Sequence, residues 1–168
     1  MSKFVNINGP IVADTVYSDN VLVARDTGFT LPAVTPVTAD LPAMGTMSIP
    51  VWSLIEDMEA TITKIGHDMG LKSLVTPEMK PIEIRWVQTV TDANGTTKNV
   101  GCKAFLKGVP KGLPEVSGEV GSTVENSVAL AVSRYQLYVD GQEMWLVDRF
   151  AGILRINGKD YANLDSML

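Results

Sequence analysis

The chain has 168 residues, of which 45% are hydrophobic and 20% are charged, and its formal net charge at pH 7 is -5. This length is enough for one well-buried core and too short for two, so we expect a single domain over residues 1–168. The acidic balance and the lack of basic runs weigh against a surface made to grip nucleic acid, because such surfaces need clustered Lys and Arg.

The amino terminus and the small number of Cys and His residues argue against a membrane-spanning or secreted protein and against a zinc protein. The first residues, MSKFVNINGPIVADT, contain only short apolar pieces, and no segment approaches the roughly 20 apolar residues that span a bilayer. We therefore expect synthesis in the cytosol and no stable membrane anchor. Cys102 and His67 are single residues of their types, so we expect no internal disulfide, no Cys/His zinc set, no other metal site and no cofactor.

Two segments give no clear period. Phe29 to Val51 is rich in Pro, Thr, Ala and Met, and Gly108 to Thr123 is rich in Gly and Pro and too long for a simple hairpin connection. The second is either mobile or ordered by a partner. Its glycines do not fit a phosphate-binding loop, because no Gly-Lys-Ser/Thr follows them and no βαβ unit surrounds them.

Elsewhere the dominant period is two. From Met58 to Ile65 apolar residues alternate with Glu59, Thr61 and Thr63, which predicts a half-buried strand. A helix of one or two turns is predicted at roughly His67 to Leu74. His67 itself is expected to be solvated or a cap, since a catalytic role would need a nucleophile or an orienting acid that the sequence does not supply.

Hairpins follow the helix. Apolar residues alternate from Ile82 to Trp86 and again from Val100 to Leu106, and Cys102 lies on the apolar side, which favours a place in the core. Turn positions with φ > 0 favour Asp, Asn and Gly. The predicted turn residues are Asn94, Gly95, Asp140, Gly141, Asn157 and Gly158.

The stretch from Val124 to Val139 changes phase. Val128, Leu130 and Val132 share one face, whereas beyond Arg134 the apolar set begins at Tyr135. A change of phase without a turn residue indicates a bulge, or a strand that passes from one packing environment to another.

Two acid pairs are the available candidates for catalysis. Glu143 with Asp148, or Glu56 with Asp57, have the residue types of a glycoside hydrolase pair. No motif fixes their spacing or surroundings, and acids in hairpins are ordinarily solvated, so we predict that the protein is not an enzyme and has no catalytic residues.

The order of several short motifs carries a family resemblance. Tyr135 to Glu143 reads Y-x-L-x-x-D-G-x-E, and Asp148 and then I-N-G-x-D at Ile156 to Asp160 follow it. Earlier in the chain, T-L-P at residues 30–32, P-I at 81–82 and L-K-G at 106–108 occur in the same order as in the family. From about Val21 to its end, the chain resembles the major tail tube proteins of contractile-tailed phages and R-type tailocins.

The resemblance implies an all-β fold with one short helix, an antiparallel β-sandwich or barrel with long loops between protomers. Hexameric rings would stack into the inner tube of a contractile tail, which pierces a membrane when the sheath contracts and, in a phage, conducts DNA without binding it specifically. The implied partners are other copies of the chain, the tail sheath, the tape measure protein, the baseplate hub and the tail terminator. The implied location is a virion tail or tailocin particle, with assembly in the host cytoplasm.

Pattern and resemblance together suggest where the chain meets its surroundings. Residues 1–18 would be an amino-terminal extension available for an interface. The residues expected in subunit-interface loops are Asp40, Met44, Met47, Leu113, Glu115, Val116 and Glu119. The residues expected to face the lumen, on small, polar or acidic strand faces, are Glu59, Thr61, Thr63, Glu125, Ser127, Ala129 and Ser133.

Two alternatives stay open at the level of sequence. The polar strand faces would also suit outer solvent or a sheath. The whole chain would also suit a monomeric or dimeric β-barrel that binds a ligand in an enlarged apolar pocket, with tyrosines and tryptophans in its lining.

Overall fold

The computed structural model describes residues 7–168, which form twelve strands, one α-helix and one 3₁₀ turn. The strands are β1 (Ile7–Ser18), β2 (Val21–Arg25), β3 (Gly28–Thr30), β4 (Pro36–Pro42), β5 (Thr46–Ile55), β6 (Glu59–Ile65), β7 (Lys80–Thr91), β8 (Thr97–Pro110), β9 (Glu125–Val139), β10 (Gln142–Asp148), β11 (Ile153–Ile156) and β12 (Lys159–Asp160). The helix is α1 (Met69–Val75), and the 3₁₀ turn is Asp165–Met167. The prediction of an antiparallel all-β fold with one short helix is confirmed.

The long strand β9 organises the main sheet. The sheet runs in the order β12, β11, β10, β9, β8, β7, β1, β2, and every pairing in it is antiparallel. One edge of β9 pairs with β8, and its other edge is shared by β6 along residues 125–131 and β10 along residues 134–139. Strand β3 pairs with β6, while β4 and β5 form a separate two-stranded sheet.

A bulge explains the change of phase in β9. Gly108 pairs with Val132 and Lys107 pairs with Arg134, so Ser133 is an extra residue in β9. Because of this extra residue, Val132 and Tyr135 both point into the core although their numbers differ by three. The bulge was one of the two explanations that the sequence left open.

The core lies on one side of this sheet. Ile62, Ile84 and Leu130 are no more than 1% exposed, and Cys102 also lies in this cluster. Helix α1 covers one end of the core with Leu74.

The short helix begins slightly later than predicted. Asp68 is its N-cap and accepts hydrogen bonds from the main-chain N–H groups of Gly70 (2.9 Å) and Leu71 (3.2 Å). Lys64, which is largely buried, donates to Asp68 and to the carbonyl of Val23, both within 2.9 Å. His67 is exposed and is not the cap.

The segment expected as an amino-terminal extension is a strand over its described part. Residues 7–18 form β1, which pairs with β7 along its length, whereas β2 pairs only with residues 15–18 of β1. Residues 7–13 are all exposed, and two irregularities interrupt the register between residues 8 and 13. Burial therefore alternates only from Asp14 to Ser18, and the first half of the strand has no such pattern. Residues 1–6 lie outside the described part.

Phe29 to Val51 also contains more strand than its composition indicates. It includes most of β3, all of β4 and part of β5. Pro36 is the first residue of β4 and Pro42 is its last, and Pro50 lies within β5. Proline is tolerated there because each strand of a two-stranded sheet has a free edge, where a missing N–H costs no ladder hydrogen bond.

Candidate functional site

The residues expected to face the lumen are brought together on one surface. β6 and β9 pair so that Thr61 lies beside Ala129 and Thr63 beside Ser127, with the two hydroxyl oxygens of the second pair 2.9 Å apart. The side chains on this surface are small or polar and lie opposite the core side of the same strands. This surface, the polar sheet face, consists of Glu59, Thr61, Thr63, Glu125, Ser127, Ala129, Ala131 and Ser133.

The charges of the polar sheet face are at its two ends. Glu59 forms an ion pair with Lys111, whose pKa is raised mainly by its hydrogen bond to Glu59. Glu125 is exposed at the other end. Ser133 lies at the bulge, where its hydroxyl donates to the main-chain carbonyl of Lys107 at 3.3 Å. The centre of the face therefore carries no charge.

Three of the expected interface residues lie on a projecting two-stranded sheet, β4–β5, which we call the ribbon. Met44 is at its tip, fully exposed and with φ of 49°. Met47 is 53% exposed, and Asp40 accepts a hydrogen bond from the hydroxyl of Ser48 at 2.6 Å. The ribbon therefore presents these side chains to its surroundings, although they do not all point the same way.

The remaining expected interface residues lie between β8 and β9 in a segment without regular structure. Leu113 is 79% exposed and Val116 is 67% exposed, while Glu115 and Glu119 are exposed acids. The segment is fixed at its start, where the N–H of Lys111 donates to the carbonyl of Ala129 at 2.9 Å.

The turn residues occupy the conformations for which their residue types are suited. Asp140 and Gly141 have φ of 51° and 76°, and Asn157 and Gly158 have 52° and 79°. The turn between β7 and β8 is different. Gly95 has φ of 79°, but the side chain of Asp92 holds the turn by accepting from the N–H groups of residues 94 and 96, both at 2.9 Å.

Of the candidate catalytic acids, Glu143 is engaged in an ion pair and Asp148 in a turn, and the other two are exposed. Arg155 donates to both carboxylate oxygens of Glu143, at 2.7 and 3.1 Å, and this lowers the pKa of Glu143. A general acid needs a raised pKa instead. Asp148 accepts from the N–H groups of residues 150 and 151, both at 3.1 Å, and so caps the β10–β11 turn. Glu56 and Asp57 are exposed in the connection between β5 and β6.

The cavities lie at the surface of the sheet and reach some core residues, among them Trp86 and Cys102. One cavity of about 510 Å³ opens over β1, β7 and β8 and is bordered by Arg85, Lys103 and Tyr138, which lie on the side of the sheet facing solvent. Among residues 7–168 no group of three or more His, Cys, Asp and Glu side chains is placed to hold a metal ion. In the same part of the chain no helix is long and apolar enough to cross a membrane.

One feature of the ribbon was missed at the level of sequence. Val37, Ala39 and Leu41 pair with Val51, Ile49 and Met47, so that these six apolar side chains share one side of the ribbon. The sequence does contain the pattern of a hairpin with one apolar side, because apolar residues alternate with other residues on both sides of Ala43-Met44-Gly45. The prolines obscured it.

Comparison with known proteins gives one family match and several structural matches. The profile of the family described as Phage tail tube protein FII matches residues 11–164. No curated protein sequence matches the chain. The protein of an anti-feeding prophage cap, the tube terminating cap, is 15% identical with a TM-score of 0.56, and the match covers 82% of this chain and 95% of that one.

Two further structural matches come from an extracellular contractile injection system, both in the extended state. A chain of its PVC sheath–tube complex is 13% identical with a TM-score of 0.52, covering 77% of this chain and 90% of that one. A chain of its PVC sheath/tube terminator is 13% identical with a TM-score of 0.51, covering 82% and 99%. At these identities the matches establish a shared fold.

Proposed function

The chain belongs to the phage tail tube protein FII family and is a tail tube structural protein, and from this premise we propose that its copies form hexameric rings stacked into the inner tube of a contractile tail. The observation that supports the proposal most directly is the polar sheet face, whose central side chains are small and uncharged and which is backed by the core. A tube wall requires such a face, because the bore must stay hydrated and open.

In this proposal the polar sheet face lines the lumen. Thr61, Thr63 and Ser127 keep it wet without narrowing it, and Lys111 is held by Glu59. DNA carries about one negative charge per 1.7 Å of axis. A wall of unpaired Lys and Arg side chains would bind the DNA phosphates, because this binding releases counterions. A face whose centre is uncharged lets DNA slide.

The exposed segments supply the contacts between copies. The ribbon and the residues around Leu113 and Val116 extend from the sheet and expose apolar side chains. The edge of β1 that β2 leaves unpaired, at residues 7–13, is also available to a neighbouring copy. We therefore propose an interface role for the described part of residues 1–18, as expected from the sequence. Copies that cover these surfaces remove the aggregation hazard that open edges create.

A position in the inner tube of a tail implies a set of partner proteins. The injection-system chain of similar fold comes from a sheath–tube complex, and two other chains come from a tube terminator and a tube cap. We accordingly propose that the outside of this tube contacts a tail sheath and that one end meets a terminator. The tape measure protein and the baseplate hub complete the proposed set, in a phage tail or a headless particle assembled in the host cytoplasm.

Sedimentation velocity of the purified protein tests this function. The expected result is a ring of about six copies together with larger, concentration-dependent species, since cyclic assemblies close a repeated interface. A single boundary at the 18.1 kDa mass of one chain, at every concentration up to that of an assembled tail, would contradict it.

A further inference from the structure

Cations cluster on the solvent side of β7, β8 and β9, although the net charge of the chain is -5. Arg85 pairs directly with Lys103 across β7 and β8, and Lys107 pairs directly with Arg134 across β8 and β9. Like charges directly opposite each other on one side of a sheet destabilise it. We call the surface around these pairs the basic sheet face. Its cost in stability is not explained by folding alone.

The lysines carry the free charge of the basic sheet face. Acids on the same side of the sheet are already bound by arginines: Glu83 by Arg85, Asp148 by Arg134 and Glu143 by Arg155. Lys103 and Lys107 are exposed, and among residues 7–168 neither has an ion-pair partner. An anion from outside the chain can therefore reach both lysines without displacing an acid of the fold.

An aromatic pair and a cavity accompany the lysines. Phe105 lies between them along β8, and its ring meets that of Tyr138 edge to face with centroids 5.7 Å apart. Beside Lys103, the cavity of about 510 Å³ opens over Gly101 and Val87. A Cβ atom added at Gly101 would meet nothing within 4 Å, so the cavity has room for a side chain from outside.

These positions define the chemistry of a ligand. Gly101, Lys103 and Lys107 lie on the same side of β8, and at about 3.4 Å per residue the two lysines are roughly 14 Å apart. An extended peptide along β8 would match them with an apolar residue, an acid two residues later and a second acid four residues after that. A nucleic acid fits less well, because its regular phosphates would also meet Glu83 and Glu143, whereas a peptide can be neutral there.

The place of the basic sheet face in the fold favours a partner of a different kind from this chain. β7, β8 and β9 are interior strands of the main sheet, so this face has no open edge and does not project. The contacts proposed above between copies use the ribbon, the segment around Leu113 and the open edge of β1. The basic sheet face is left for another protein.

We propose that the basic sheet face binds an acidic segment of a protein other than this chain. An apolar side chain of that segment enters the cavity, and two of its carboxylates bind Lys103 and Lys107. This interaction goes beyond the tube function and does not depend on ring formation.

Binding of a short peptide tests the proposal. The probe is the end-blocked peptide Leu-Ser-Asp-Ser-Ser-Ser-Asp carrying a dye of zero net charge, and its fluorescence anisotropy is followed as the full chain is added. We expect saturable binding with a Kd at or below about 1 mM at low salt. Binding should be several-fold weaker at about 0.3 M salt, because exposed charges are screened. A peptide with asparagine in place of both aspartates should bind about fivefold more weakly.

Two lysines of β8 provide matched variants. Lys103→Gln should raise the Kd about threefold or more, whereas Lys98→Gln, on the opposite side of the same strand, should change it less than about twofold. Lys103→Gln should also unfold at an equal or higher temperature, since it relieves repulsion from Arg85. Gly101→Val fills the cavity and should weaken binding of the leucine peptide, but not of a peptide with alanine in the first position.

Several results would overturn the inference. They are no saturable binding by wild type, equal binding by the two lysine variants, equal binding of the aspartate and asparagine peptides, and tighter binding of an oligothymidylate, which would assign the face to nucleic acid. A higher concentration needed for assembly in Lys103→Gln, but not in Lys98→Gln, would instead assign the face to a second copy through its exposed Glu115 and Glu119. Absence of rings in wild type would overturn the tube function and leave the peptide result unaffected.

Discussion

Arg149 donates a hydrogen bond from Nη1 to the main-chain carbonyl of Glu56 at 2.8 Å. Its other terminal nitrogen donates to the carbonyl of Ile55 at 3.1 Å, and its own N–H donates to the carbonyl of Ser133 at 3.0 Å. The bulge in β9, the β10–β11 turn and the base of the ribbon therefore meet at one residue. We therefore expect this arginine to help fix the direction of the ribbon.

Replacing Arg149 should loosen the ribbon more than it destabilises the fold. Arg149→Ala should cost about 1 kcal/mol of unfolding free energy, since the side chain is exposed and each hydrogen bond is worth little net. Arg149→Lys should recover only part, because an ammonium group cannot match two carbonyls as a guanidinium does. Hydrogen exchange at the Glu56 amide, which is bonded to the carbonyl of Thr35, should quicken in both. Lys98→Ala, which removes an exposed cation elsewhere, is the control, and equal exchange in all three variants would refute the role.

The β9–β10 turn requires glycine at position 141. Gly141 has φ of 76°, whereas Gly101 in β8 has no positive φ, and a Cβ atom there meets nothing within 4 Å. Gly141→Val should cost about 1–3 kcal/mol, because β-branched residues avoid φ > 0. Gly101→Val should be neutral or stabilising, since valine suits a strand. Urea unfolding measures both, and equal midpoints would exclude the turn requirement.

Glu143 should make stability depend on pH in a known direction. Arg155 lowers the pKa of Glu143 below its ordinary value of 4.5. The stabilisation is therefore fully present above that value and is lost as the pH falls through the lowered pKa in the folded protein. Because both side chains are partly exposed, it should be at most about 1 kcal/mol.

The comparison for this prediction is between wild type and Glu143→Gln. Their difference in unfolding free energy should be constant from about pH 6 to 8 and should shrink below about pH 4.5. In an Arg155→Gln background, the same Glu143→Gln substitution should show a weaker pH dependence, because Gln136 and Arg134 still lower the pKa of Glu143. A difference that grows as the pH falls would contradict the sign.

Much of the fold could be predicted, because alternation and turn chemistry agree in its centre. The strand near Thr61, the hairpin of β7 and β8 and the change of phase near Arg134 all follow from local patterns, although the pattern alone did not decide between a bulge and a change of packing environment. β1 could not be predicted in the same way, since residues 7–13 are exposed on both sides and carry no burial period. The contact of Arg149 with the base of the ribbon could not be predicted either, because its partners are main-chain carbonyls that are distant in sequence.

The candidate surfaces were predicted unevenly. The polar face of β6 and β9 was visible as two separate alternations, but their alignment into one surface depends on the register between Thr63 and Ser127. For the ribbon, the location of an exposed arm was anticipated. Which of its sides is apolar requires the pairing of Ala39 with Ile49, which proline content concealed.

Cysteine labelling tests whether the polar sheet face lines the lumen. Thr61→Cys and Ser127→Cys, each in a Cys102→Ser background, place a thiol on this face. In assembled tubes a maleimide too bulky to enter the bore should leave both thiols unmodified, and dissociation should make both reactive. Rapid labelling of both positions along intact tubes would place the face on the outside.

Negative-stain electron microscopy of the purified chain, concentrated without any partner, tests the central claim most directly. A tail tube protein whose interfaces are carried by its own ribbon and edges should form rings with sixfold symmetry and hollow tubes of uniform width. Fields of small, separate particles without a central hole, at every concentration and ionic strength tried, would contradict the account.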